Sequence, residues 1–242
     1  YNPEKFEDLK SKVTKKTKII LVENPGSNTF EFQDLSKIVN LAKNKKILTL
    51  LDNTWATALY LQPLKIGFDM SFCSATKYLS GHSDAMGGTL SVNKNVFKKI
   101  MTFYKLSGYR MSADEAYLII RGLRTLDVRL KSHQENTKKV VNFLNRQKKI
   151  KEILYPHKLG SKNYKLWKKY YSGATGLLSI IIKSKKKASV VKFVNSLELF
   201  GIGYSWGGFE SLALLQELRK STEYTKGRKY YRFNADEHIV RL

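Results

Sequence analysis

A lysine amine condenses with an aldehyde once its surroundings keep it neutral enough to be nucleophilic, and Lys77 stands where that chemistry has company. It lies in Asp69-Met70-Ser71-Phe72-Cys73-Ser74-Ala75-Thr76-Lys77-Tyr78-Leu79-Ser80-Gly81-His82-Ser83. The hydroxyls of Ser74 and Thr76, three and one positions before it, are suited to hydrogen-bond a phosphate. Asp52 precedes Lys77 by 25 residues, in Leu51-Asp52-Asn53-Thr54-Trp55-Ala56; a carboxylate of this kind favours the protonated form of a basic nitrogen beside it. Near the other end, Ile239-Val240-Arg241-Leu242 offers a guanidinium, the group that binds an α-carboxylate through two parallel hydrogen bonds. Taken singly, each has an ordinary explanation: a surface lysine, a turn-capping aspartate, a salt-bridged edge arginine.

The elements around these residues point to one rim. The apolar run Ile19-Ile20-Leu21-Val22 reads as a buried strand ending in the turn cluster Glu23-Asn24-Pro25-Gly26-Ser27. Asp34 then caps an expected helix with Leu35, Ile38, Val39 and Ala42 on one face. Residues 47–51 form the next expected strand and 69–73 another, delivering Asp52 and Lys77 to the carboxyl ends of strands, where open α/β sheets bind ligands. The alternation of strands and helices predicts an α/β fold with a mostly parallel sheet. Residues 112–147 read as helix, with Val128, Leu130, Val140, Val141 and Phe143 as its apolar contacts. A smaller α+β unit follows: Ile153-Leu154-Tyr155, an apolar strand over 176–182, a helix over 188–197 and a last strand over 238–242. No Gly/Pro/Ser-rich tether separates the two, so the boundary falls within a helix near Leu123, giving domains 1–123 and 124–242.

Composition narrows the class. The 242 residues are 42% hydrophobic and 12% aromatic, too apolar for a disordered chain, and no uncharged apolar run nears the roughly 20 residues that span a bilayer. One cysteine, Cys73, excludes an internal disulfide framework or a multi-thiolate metal site and suits a reducing cytoplasm. The chain opens on Tyr1 with no targeting segment visible. The formal charge of +24 raises the alternative of a nucleic-acid-binding module, since excess Lys and Arg is the footprint of phosphate-backbone contact. That reading needs clustering, and here lysines are scattered along amphipathic stretches with only short runs such as Lys185-Lys186-Lys187. Nucleic acid and membrane are therefore not the expected partners.

The run from Asp69 to Ser83 resembles the cofactor-attachment signature of the Cys/Met-metabolism family of pyridoxal-phosphate enzymes, and Asp52-Asn53-Thr54 resembles a second family element. The resemblance extends over nearly the whole chain, from the strand before Glu23 to Leu242. It implies an aspartate-aminotransferase-like (fold type I) architecture with pyridoxal 5'-phosphate on Lys77, Asp52 at the ring nitrogen, Ser74 and Thr76 at the phosphate, and a small-molecule amino-acid substrate. Arg241 would take the substrate carboxylate, assisted by the loop Tyr204-Ser205-Trp206-Gly207-Gly208-Phe209-Glu210-Ser211, in which Ser205 and Trp206 face the carboxylate and the pocket. Ser27 stands where the broader family often carries a ring-contacting asparagine; this leaves its cofactor contact open. His82 and the run from Arg121 to Leu126 match architectural elements, the latter joining the domains. Ser205-Trp206-Gly207-Gly208 and Asp84-Ala85-Met86 resemble the bacterial cystathionine β-lyase branch. That resemblance implies β-elimination of L-cystathionine to homocysteine, pyruvate and ammonia, with Lys77 as base, in a cytoplasmic homotetramer built from dimers. A γ-lyase or γ-synthase would share the same residues, and a non-catalytic paralogue would bind cofactor without product. Family members carry a substantial N-terminal portion that supplies further cofactor and subunit contacts, so these 242 residues alone are expected to bind cofactor weakly and to lack useful activity.

Overall fold

In the computed structural model, residues 1–217 and 234–242 are described. Strands β1 (Ile19–Glu23), β2 (Leu48–Asp52), β3 (Met70–Ser74) and β4 (Gly88–Val92) form one sheet in that order. The first three run parallel and β4 lies antiparallel to β3. In register, Glu23 pairs with Asp52 and Asp52 with Phe72, so the turns leaving β1 and β2 and the Lys77 segment leaving β3 share one edge. A second sheet, antiparallel except at its last pair, has the order β5 (Ile150–Leu154), β6 (Ser179–Lys183), β9 (Glu237–Arg241), β8 (Leu212–Gln216), β7 (Gly201–Ile202). One apolar cluster runs through both sheets, from Ile20, Val22 and Leu51 to Ile180, Ile181 and Val240.

Local chemistry accounts for the elements. Helix Leu35–Lys45 starts where the Asp34 carboxylate accepts from the Lys37 amide and buries Leu35, Ile38, Val39, Leu41 and Ala42, a 3.6-residue stripe. The helix expected over 112–147 is two helices, Ala113–Leu123 and Leu126–Leu144. An unbroken helix needs the Gly122 carbonyl for the amide of Leu126. That carbonyl instead accepts from the Thr125 amide at 3.1 Å and from the Arg129 guanidinium at 2.7 Å. Leu126, Leu130, Val141 and Leu144 form the buried stripe of the second helix. Val128 and Phe143, expected as core contacts, fall off that stripe and are each 63% exposed. The strand expected over 176–182 is shorter at its start, because residues 176–178 serve as a docking segment before β6.

Among the described glycines, Gly122 is the one packed closest against other backbone. A Cβ there would sit 2.2 Å from the Ser80 carbonyl oxygen and 2.5 Å from that of Leu79, backbone atoms with no room to move. Gly122→Ala is expected to lower unfolding free energy by about 3 kcal/mol, read as a fall in urea midpoint at unchanged m-value.

Candidate active site

β3 ends at Ser74 and the chain enters a π-type turn, Ala75–Leu79, closed by the Ser80 amide on the Ala75 carbonyl at 2.9 Å. Lys77 breaks the helical geometry at φ −89°, ψ −124°, which turns its half-buried side chain off the helical path. Its Nζ donates to Ser205 Oγ at 2.8 Å and lies 5.4 Å from the Trp206 ring centroid. Burial, then the nearby Arg241 charge, holds the amine below the ordinary lysine range, so more of it is neutral and nucleophilic at a given pH.

Asp52 closes β2. Its Oδ1 accepts from the Thr54 amide at 2.9 Å and the Thr54 hydroxyl at 2.5 Å, while that hydroxyl oxygen accepts from the Ser74 amide at 2.9 Å. Thr54 thereby ties the carboxylate to the neighbouring strand. Burial raises the Asp52 pKa against these two neutral donors, and a cation placed beside it would reverse that direction. Burial, then Asp52, pushes the Cys73 thiol up to about 12, so the one cysteine is no nucleophile at neutral pH.

Lys77, Asp52, Ser74, Ser27 and Trp206 line one cavity of about 140 Å³, joined by Glu23, Pro25, Thr54 and Trp55. An amine held partly neutral across a small hollow from a half-buried carboxylate can capture an aldehyde-bearing pyridine at both ends. Arg241 and Ser205 line a larger hollow of about 390 Å³ in which Trp206 is also a wall residue. Lys77 and Asp52 both line the smaller cavity and neither lines the larger. Lys77 links the two through its bond to Ser205.

Arg241 is buried, 5% exposed. Its guanidinium donates to the Tyr204 carbonyl and, at 3.4 Å, to Asn28 Oδ1, so strand β9, the loop after β7 and the turn after β1 meet there. Thr76 is set apart from the cavity: its hydroxyl accepts from the Gly87 amide at 3.1 Å, leaving Ser74 as the cavity's hydroxyl on this strand. His82 is exposed, with Nδ1 2.6 Å from the Ser80 carbonyl. The Ser27 amide donates to Glu23 Oε1 at 2.9 Å. Sequence reasoning missed Glu23, Thr54, Trp55 and Asn28. Thr54 and Trp55 sit in the very segment that drew attention to Asp52, and Asn28 directly follows Ser27; no spacing rule marks the partners of any of them.

The model of the family described as Cys/Met metabolism PLP-dependent enzyme matches residues 1–242. The chain is 38% identical to a putative cystathionine β-lyase of Rhizobium johnstonii, over 92% of this chain and 57% of that protein. It is 39% identical to an L-alanine/L-glutamate racemase of Wolbachia pipientis wMel, over 88% of this chain and 53% of the relative. The chain thus spans a little over half the length of these curated relatives. A crystal structure of cystathionine γ-synthase from Xanthomonas oryzae pv. oryzae, in complex with aminoacrylate and cysteine, superposes with TM-score 0.84 at 28% identity, covering 93% of this chain and 58% of that one. The architecture is that of the fold type I pyridoxal-phosphate enzymes, and the chain belongs to the Cys/Met metabolism family of PLP-dependent enzymes.

Proposed function

We propose that the protein is a carbon–sulfur lyase that cleaves L-cystathionine by β-elimination to homocysteine, pyruvate and ammonia. The observation that carries this is the pairing of Lys77 and Asp52 across one cavity, with Ser205 bridging Lys77 toward Arg241. The donor set fits the family cofactor: a half-buried carboxylate with only neutral described donors for a pyridinium, an amine for the aldehyde, and Ser74 and Ser27 lining the same cavity. Pyridoxal 5'-phosphate, when bound, supplies an electron sink that acidifies the substrate Cα–H.

The chain's own residues do the rest. Arg241 and Ser205 hold the substrate α-carboxylate. With the cofactor bound, Lys77 would serve as the base that takes the α-proton, and its burial and the Arg241 charge favour the neutral amine this needs. Trp206 shields the amine from water on one side. Departure of the Cγ-bearing thiolate from Cβ and addition of water then give the three products. In this reading residues 1–123 belong to the cofactor domain and 124–242 to the carboxylate-binding domain, and the protein works as a cytoplasmic homotetramer. Exposed Phe97, Phe103 and Leu106 on helix Lys94–Ser107 support assembly, being more apolar surface than one helix ordinarily leaves in water.

A second reading, amino-acid racemisation, is favoured by the 39% identity to the Wolbachia protein, and needs the same Cα proton removal. Product analysis separates them. Incubated with cystathionine, the full-length protein is expected to release free thiol and pyruvate in equal amounts. Release of 2-oxobutyrate would move the assignment to γ-elimination, and D-alanine from L-alanine without thiol release would move it to a racemase.

A further inference from the structure

Asp52 ends a strand of the first sheet and Lys77 follows another, whereas Arg241 lies in the second sheet, so something must fix the distance between them. Tyr78, the residue after Lys77, is 1% exposed. Its phenol oxygen accepts from the Gly176 amide at 3.0 Å and the Leu177 amide at 3.2 Å. The carbonyl of Leu177 accepts from the Trp55 indole N–H at 3.2 Å, and Trp55 stands three residues after Asp52. The same short segment is therefore held on its amide side from beside Lys77 and on its carbonyl side from beside Asp52. One residue further on, Leu178 exchanges both backbone hydrogen bonds with Leu242, at 3.1 and 2.9 Å, and Ser179 pairs with Arg241 in the β6–β9 register.

The loop that carries Ser205 and Trp206 closes on the same tyrosine. Gly207, at φ +82°, brings its backbone so near that a Cβ would lie 3.0 Å from the Tyr78 amide nitrogen and 3.2 Å from the Lys77 carbonyl carbon. The Trp206 ring meets the Tyr78 ring edge-on at 5.4 Å. From the far side, the Arg129 guanidinium donates to the Tyr78 carbonyl at 2.8 Å and the His133 ring packs at 5.3 Å.

We infer that Tyr78 is a positioning residue: its hydroxyl fixes the Gly176 and Leu177 amides and so sets Arg241 at working distance from Lys77. The inference rests on the proposed roles of Lys77 and Arg241. Buried in this way, the phenol is pushed up to about 12 and keeps its proton throughout the working range, so the role is structural alignment of substrate, not proton transfer.

Tyr78→Phe tests it by removing one oxygen and keeping the ring. Amide hydrogen exchange at Gly176 and Leu177 is expected to quicken by about tenfold or more, with Ile180, Ile181 and Ile182 still protected. Trp55→Phe, which frees the same segment from its carbonyl side, should give the same exchange pattern. In the cofactor-loaded full-length protein, Tyr78→Phe is expected to raise KM for cystathionine about tenfold with kcat within about twofold, and to weaken L-alanine binding, followed by cofactor absorbance, by a similar factor. Unchanged exchange at both amides overturns the inference. So does faster exchange with an unchanged KM and L-alanine affinity, or with kcat falling as far as kcat/KM. If the wild-type protein releases no thiol from cystathionine, the lyase assignment fails, while the exchange and L-alanine measurements still decide the part played by Tyr78.

Discussion

Lys77→Ala in the full-length protein is expected to give a folded, colourless variant whose turnover falls by about 10⁴-fold or more, since the proposed covalent anchor and general base are lost at once. The fold should survive. The lysine head makes one described side-chain hydrogen bond, to Ser205 Oγ, and a half-buried side chain with so few partners changes stability by roughly 0.5 kcal/mol when truncated. A circular dichroism melt within a few degrees of wild type, together with loss of the cofactor's visible absorbance and of pyruvate release, is the full pattern. A variant that stays yellow and active would end the assignment of Lys77. The pH profile adds a second check with a definite sign. Burial and Arg241 depress the Lys77 pKa, and only the neutral amine takes a proton, so activity should fall as pH drops through that lowered pKa. The acid limb of the profile therefore lies below the ordinary lysine range.

What could be read from the residues and what could not divides by distance along the chain. The helix capped at Asp34 and the strands leading to Asp52 and Lys77 are specified locally: side-chain period, a capping carboxylate and turn residues all act within a few positions. Lys77 and Asp52 were legible as a pair because parallel strands end on a common edge, which the register of Asp52 with Phe72 bears out. The break at Arg124 and Thr125 was not, because its cause is the Gly122 carbonyl being claimed by Arg129 while the Gly122 backbone presses on Ser80. Thr76 carried the right hydroxyl beside Lys77, yet its direction is decided by Gly87, which the chain returns to it only after a turn through exposed residues. The clamps made by Tyr78 and Trp55 join residues about a hundred positions apart, and no periodicity in a single sequence carries that information. The π-type turn that aims Lys77 belongs to the same class, since a five-residue stretch with no Gly or Pro has no local signature for it.

Arg241 is where two effects can be pulled apart, and the expected results differ in kind. Arg241→Gln removes both the proposed two-pronged grip on the substrate carboxylate and a positive charge near Lys77. Loss of the charge-assisted hydrogen bonds should raise KM by roughly 100-fold, with cofactor absorbance retained because the proposed contact of the guanidinium is to substrate and not to the cofactor. The same charge also contributes to depressing the Lys77 pKa. Its removal lets that pKa rise, so the acid limb of the rate profile should move to higher pH. Arg241→Lys keeps a cation but not the planar fork that matches a carboxylate. It should raise KM steeply as well while leaving the acid limb close to its wild-type position. Part of either loss comes from the Tyr204 carbonyl and Asn28, which Arg241 also holds; a lysine reaching the same region leaves them less completely served. Steady-state profiles of kcat and KM from about pH 6 to about pH 10, a range that brackets a lowered lysine pKa, decide the matter for the three proteins. If glutamine and lysine variants shift the limb equally, or if neither raises KM, Arg241 is neither the carboxylate receptor nor the charge that tunes Lys77.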